Sequence, residues 1–69
     1  MATEKEQAQA KVRRLESELS AAEGVLRLHQ RTEKEDLARG FDKVSPARSA
    51  VQNAKRALDI AKAELRRLR

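Results

Sequence analysis

Apolar side chains recur along the C-terminal third of the chain in alternating steps of four and three: Ala47, Val51, Ala54, Leu58, Ala61, Leu65 and Leu68. That alternation is the seam of a heptad helix, in which one stripe of side chains faces a partner helix. No glycine or proline interrupts it. Ser45 followed by Pro46 reads as an N-cap and a first helical residue, because proline's missing N–H has no partner to lose there. The pattern predicts a helix over about 46–68.

The N-terminal half carries the same steps at Ala8, Val12, Leu15, Leu19, Ala22 and Leu26. The next two seam positions are polar, His29 and Glu33, before Leu37 resumes the stripe. The spacing predicts one helix over about 3–39. Thr32-Glu33-Lys34-Glu35 also has the form of a capping box, at which a helix can stop and restart, but the unbroken helix is the expectation. Gly24 falls on the outer side of the seam and reads as a tolerated surface glycine, costing ~1 kcal/mol relative to alanine. The segment Arg39-Gly40-Phe41-Asp42-Lys43-Val44 supplies the turn, placed over 40–45. Gly40 suits the left-handed position that ends a helix, and Phe41 could fold back on Leu37.

Two heptad helices joined by a short turn pack antiparallel. The layers are then Val12 with Leu68, Leu15 with Leu65, Leu19 with Ala61, Ala22 with Leu58, Leu26 with Ala54 and His29 with Val51. Every pair is mirrored about Gly40. Three central layers oppose a Leu to an Ala, so large faces small. Sliding one helix by a heptad also keeps apolar layers. On one flank, Gln9, Glu16, Glu23 and Gln30 of the first helix run beside Arg48, Lys55, Lys62 and Arg69 of the second, which sets Glu16 near Lys62 and Glu23 near Lys55. Such exposed pairs are worth ~0.2–1 kcal/mol and select orientation more than they stabilise. On the other flank lie Ala21, Val25, Leu28, Ala50, Ala57 and Ile60, a second apolar stripe that a lone hairpin leaves wet. The expected fold is therefore all-α: an antiparallel two-helix hairpin, coiled-coil-like, completing a larger helical bundle with a second copy or a partner chain.

Composition narrows the function. The chain has 69 residues, no Cys, Trp or Tyr, and a single His and Phe. One small domain of this length buries little core, and without cysteine it has no disulfide or thiolate-metal staple. Ser17, Ser20, Ser45 and Ser49 fit helix or capping roles, and no Gly-rich phosphate loop is present. The expectation is no enzyme, no cofactor and no small-molecule substrate. His29 and Glu33 share one helix face, but two ligands fall short of a metal site, and a polar notch that sets register is the plainer role. The apolar runs are too short to span a bilayer, the polar, acid-bearing N-terminus does not read as a signal peptide, and the expected place is the cytoplasm or an assembly formed there.

Charge is uneven. Residues 1–31 carry net +1, residues 32–45 net −1 and residues 46–69 net +5. Arg48, Lys55, Arg56, Lys62, Arg66, Arg67 and Arg69 make the second helix a candidate contact for phosphates or for an acidic partner. The leading expectation is a non-enzymatic structural or interaction protein, an accessory or assembly factor such as those of virus particles, docking through Ala21, Val25, Leu28, Ala50, Ala57 and Ile60. The alternative is a nucleic-acid-binding helical bundle that uses the basic helix.

Overall fold

A computed structural model describes residues 3–68. Three helices follow one another: α1, Glu4–Arg31; α2, Glu33–Ala38; and α3, Val44–Arg67. Helices α1 and α3 lie side by side, and the molecule measures 52 × 17 × 13 Å. The fold is an all-helical hairpin without strands among the described residues.

Helix α1 begins at Thr3, whose side-chain oxygen accepts the Glu6 backbone N–H at 3.2 Å. It does not run to residue 39. It ends at Arg31, and Thr32, at φ −105° and ψ 6°, separates it from α2. The break lies at the restart signal Thr32-Glu33-Lys34-Glu35, but the side-chain chemistry is not that of a capping box. The Thr32 hydroxyl donates to the Asp36 carboxylate at 2.8 Å, one turn onward, rather than accepting from the backbone. The same hydroxyl lies 3.4 Å from the His29 carbonyl, a side-chain contact to the preceding turn of the kind that competes with regular helical pairing.

Helix α2 ends as expected at Gly40, the one described residue with positive φ, at +86°. The Gly40 N–H bonds to the Leu37 carbonyl at 3.0 Å and the Phe41 N–H to the Asp36 carbonyl at 2.8 Å. This pair of bonds is a Schellman motif, which turns the chain and satisfies two carbonyls left over at the helix end. Leu37 and Phe41 stay exposed at 54% and 58%.

Helix α3 starts two residues earlier than the sequence suggests, and Ser45 is not its cap. Asp42 is: its carboxylate accepts the Ser45 backbone N–H at 3.1 Å and the Ser45 hydroxyl at 2.6 Å. Pro46 is the third residue of α3, still inside the first turn, where its absent N–H leaves no acceptor orphaned.

The heptad stripes form the core. Val12, Leu15, Ala47, Val51, Leu58 and Ala61 are buried, with Leu19, Ala22, Leu26, Ala54, Leu65 and Leu68 half-buried beside them. The innermost cluster joins Val12 and Leu15 to Leu58 and Ala61, with Leu19, Ala57 and Leu65 packed on it. Mirroring about Gly40 would hold these two pairs one heptad apart. The grouping instead fits mirroring about the Asp36–Leu37 bond. The cause is the bend: α1 stops at Arg31 while α3 begins at Val44, so the midpoint between the two rods shifts back toward Leu37.

Two consequences are testable by thermal melting. Leu58→Ala is expected to cost about 2–5 kcal/mol, as truncations of buried leucines do, which rivals the few kcal/mol a single core of this size supplies. A cooperative melt at the wild-type Tm would contradict the packing described. Gly24 has nothing within 4 Å of a built Cβ, whereas Gly40 holds a left-handed φ. Gly24→Ala should therefore stabilise by about 0.5–1 kcal/mol, and Gly40→Ala should destabilise by about 1–2 kcal/mol.

Candidate interaction surfaces

Filling the seam leaves side chains on both flanks in water. On one flank, Val25, Leu28 and Ile60 are exposed at 48%, 59% and 55%; Ala21 and Ala50 are exposed and Ala57 is half-buried. In the observed register these residues string along the hairpin rather than forming a round patch. Ile60 lies toward the open end, Ala57, Ala21 and Ala50 follow, and Val25 and Leu28 lie nearer the bend. The stripe spans about 22 Å at 1.5 Å per residue. Its charges gather at one end. Glu18 and Glu64 sit toward the Ile60 end, where Lys11 pairs with Glu64 at 3.8 Å and Arg14 with Glu18 at 3.9 Å. On the outer face of α1, away from the stripe, Gly24, Arg27 and Arg31 line, with Leu28, a shallow open depression. Gly24 is what opens it, since a side chain there would fill the space. The Arg27 Nε–H reaches back to the Glu23 carbonyl at 3.4 Å.

The opposite flank carries most of the basic residues of α3. Arg48, Lys55, Arg56, Lys62 and Arg66 are all exposed there; Arg67, also exposed, falls one heptad beyond Ile60 on the apolar side, and Arg69 lies outside the described residues. The expected ion pairs Glu16–Lys62 and Glu23–Lys55 do not occur among the described residues, whose pairs are Lys11–Glu64, Arg14–Glu18 and Lys43–Asp36. The one-heptad shift of register moves Glu16 opposite Lys55 and Glu23 opposite Arg48 instead. These do not close either, since two long solvated side chains gain too little from a surface pair to hold one geometry.

The bend contains a third cluster that the sequence reading missed. Asp36 is only 7% exposed. Its carboxylate accepts from Thr32 at 2.8 Å and faces the Lys43 ammonium at 3.6 Å, so it links the start of α2 to the residue before α3. The Thr32 hydrogen bond, then the positive charges of Lys43 and Arg39, hold its pKa below the ordinary 3.8 against an opposing push from partial burial. Asp42 is likewise held below 3.8, first by the Ser45 hydroxyl and then by the backbone N–H groups it caps and by Arg48. The Thr-x-x-x-Asp spacing at Thr32 and the Asp-x-x-Ser spacing at Asp42 were the available signals.

His29 and Glu33 are half-buried in their seam positions. No group of three or more metal-ligating side chains gathers among the described residues, and no helix there is long and apolar enough to cross a membrane. Comparison with protein-family models, curated proteins and solved structures gave no match to this chain.

Because Asp36 has a lowered pKa when folded, its contribution is present above its unfolded pKa and is lost as pH falls through the lowered value. Asp36→Asn should therefore reduce Tm at pH 7. The gap to wild type should narrow progressively below about pH 4, the range in which a free carboxylate takes up its proton. A gap that stays constant from pH 7 to pH 2 would show that the carboxylate charge plays no part in the bend.

Proposed function

We propose that this chain is a non-enzymatic assembly module, a helical hairpin that pairs with a second copy of itself through the Val25–Leu28–Ile60 flank to make a four-helix bundle. The observation that carries this reading is the exposure of those three large apolar side chains on one flank of a hairpin whose seam is already filled. Isolated exposed Val or Leu residues need no explanation, but an aligned stripe does.

The layout of the stripe favours a second copy over an unrelated helix. Two copies related by a two-fold axis across the stripe would set the Ile60 end of each against the Val25 and Leu28 end of the other. The alanines at its middle, Ala21, Ala50 and Ala57, would meet and allow close approach of the helices. Glu18 and Glu64, paired within each copy to Arg14 and Lys11, would border the interface. A two-fold interface must be self-complementary in this way. Burying apolar area at ~25 cal/mol per Å2 adds several kcal/mol, a substantial gain for so small a core.

Light scattering and far-ultraviolet circular dichroism test the proposal together. The wild-type chain should show twice its 7.8 kDa mass. Val25→Lys with Ile60→Lys, which brings like charges together across the two-fold, should give helical monomer. A wild type that stays monomeric at several hundred micromolar, or a double variant of unchanged mass, would refute the proposal.

A further inference from the structure

The flank opposite the apolar stripe carries a different kind of surface. Arg48, Lys55 and Lys62 repeat every seven residues along α3, so they stand about 10 Å apart in a row. Arg56 and Arg66 lie on the adjoining outward positions. Among the described residues none of these five forms an ion pair. Asp59 is the one acid of α3 on the same strip, and the facing α1 row offers only Glu16 and Glu23, neither of which closes on a lysine. The strip holds no large apolar residue; Ala63 is the most apolar side chain outward of it. A rigid helix of 24 residues thus displays at least five cations along one edge.

We infer that this edge binds the phosphate backbone of a nucleic-acid duplex, without reading its sequence. The absence of an apolar strip argues against an acidic protein helix, which would need apolar burial as well as charge to dock. The lack of aromatic side chains argues against single strands. Such strands are gripped largely by stacking bases on aromatic rings, and the one aromatic residue, Phe41, sits in the bend. Evenly spaced point charges on a straight rod match what a duplex presents, a repeating line of phosphates whose counterions are released on contact. This surface lies on the other side of the seam from the flank assigned to self-association, so the inference does not depend on that reading. A bundle formed through Val25 and Ile60 would leave both basic edges in water.

Fluorescence anisotropy tests it with four labelled probes: a 20-base-pair DNA duplex, the RNA duplex of the same sequence, a 20-nucleotide DNA single strand, and polyglutamate of matched charge. Binding of either duplex at 50 mM salt is expected, and the preferred duplex identifies the source of the phosphates. Raising salt to 200 mM should weaken binding by about 10²-fold if about four phosphates are contacted. Lys55→Glu with Lys62→Glu should weaken binding more than tenfold. Arg14→Glu with Lys34→Glu, the same charge change at exposed positions away from the basic edge, should stay within threefold of wild type. Circular dichroism confirms that each variant keeps its helices. No binding of either duplex at 50 mM salt would overturn the inference. So would equal losses in the two double variants, tighter binding of the single strand, or polyglutamate binding as tightly as duplex.

Discussion

The structure depends on one narrow apolar seam. Two helices of 28 and 24 residues touch along a single stripe, and most of what they bury comes from leucines and valines set against alanines. Alanine lets the backbones approach closely, which tightens dispersion contacts but contributes little area of its own. Even the most enclosed side chains, Ala61 at 2% and Val44 at 3%, lie one layer from solvent. A core this thin leaves small energetic margins, so the bend that brings the limbs together and the surfaces left outside carry more weight than they would in a larger domain.

The bend shows how local polar chemistry sets long-range packing. Thr32 and Asp36 stop α1, the Schellman turn at Gly40 reverses direction, and Asp42 restarts the chain as α3. Because these stops fall at Arg31 and Val44, the limbs meet in a register one heptad away from the one centred on Gly40. Heptad seams are degenerate to such slips: each layer remains apolar, and the flanking charges remain opposite. What removes the degeneracy is the length of the connection, and that length is decided by a few hydrogen bonds among short polar side chains. Lys43 reaches across the same bend to Asp36, tying the end of one limb to the start of the other.

This is also where the sequence was legible and where it was not. The steps from Ala47 to Leu68 and from Ala8 to Leu26 marked the buried stripe correctly, because burial on a helix follows spacing and spacing is visible in a sequence. Gly40 was legible because only glycine enters the left-handed region without penalty. The break at Thr32 was visible only as an alternative, since Thr32 and Asp36 are each unremarkable until one turn of helix brings them together. The cap of α3 was assigned to Ser45 rather than Asp42 for a similar reason: both are good capping residues, and which one accepts depends on where the preceding turn delivers the chain. The apolar flank was readable as a pattern. That its large side chains lie toward opposite ends of the stripe, with the paired charges at the Ile60 end, needed the register.

The two flanks give the hairpin two different chemistries, apolar on one side and predominantly basic on the other, and both follow from the same doubling back of the chain. The most direct measurement of that doubling back is a pulsed electron–electron spin resonance distance between labels at Arg14 and Asp59, diluted with unlabelled chain so that only intramolecular pairs contribute. Both positions are exposed and stand beside one another in the hairpin. The account predicts a narrow distribution below about 25 Å, two packed helix widths including the labels. A distance near 65 Å, the length of an uninterrupted helix across the same residues, would contradict it.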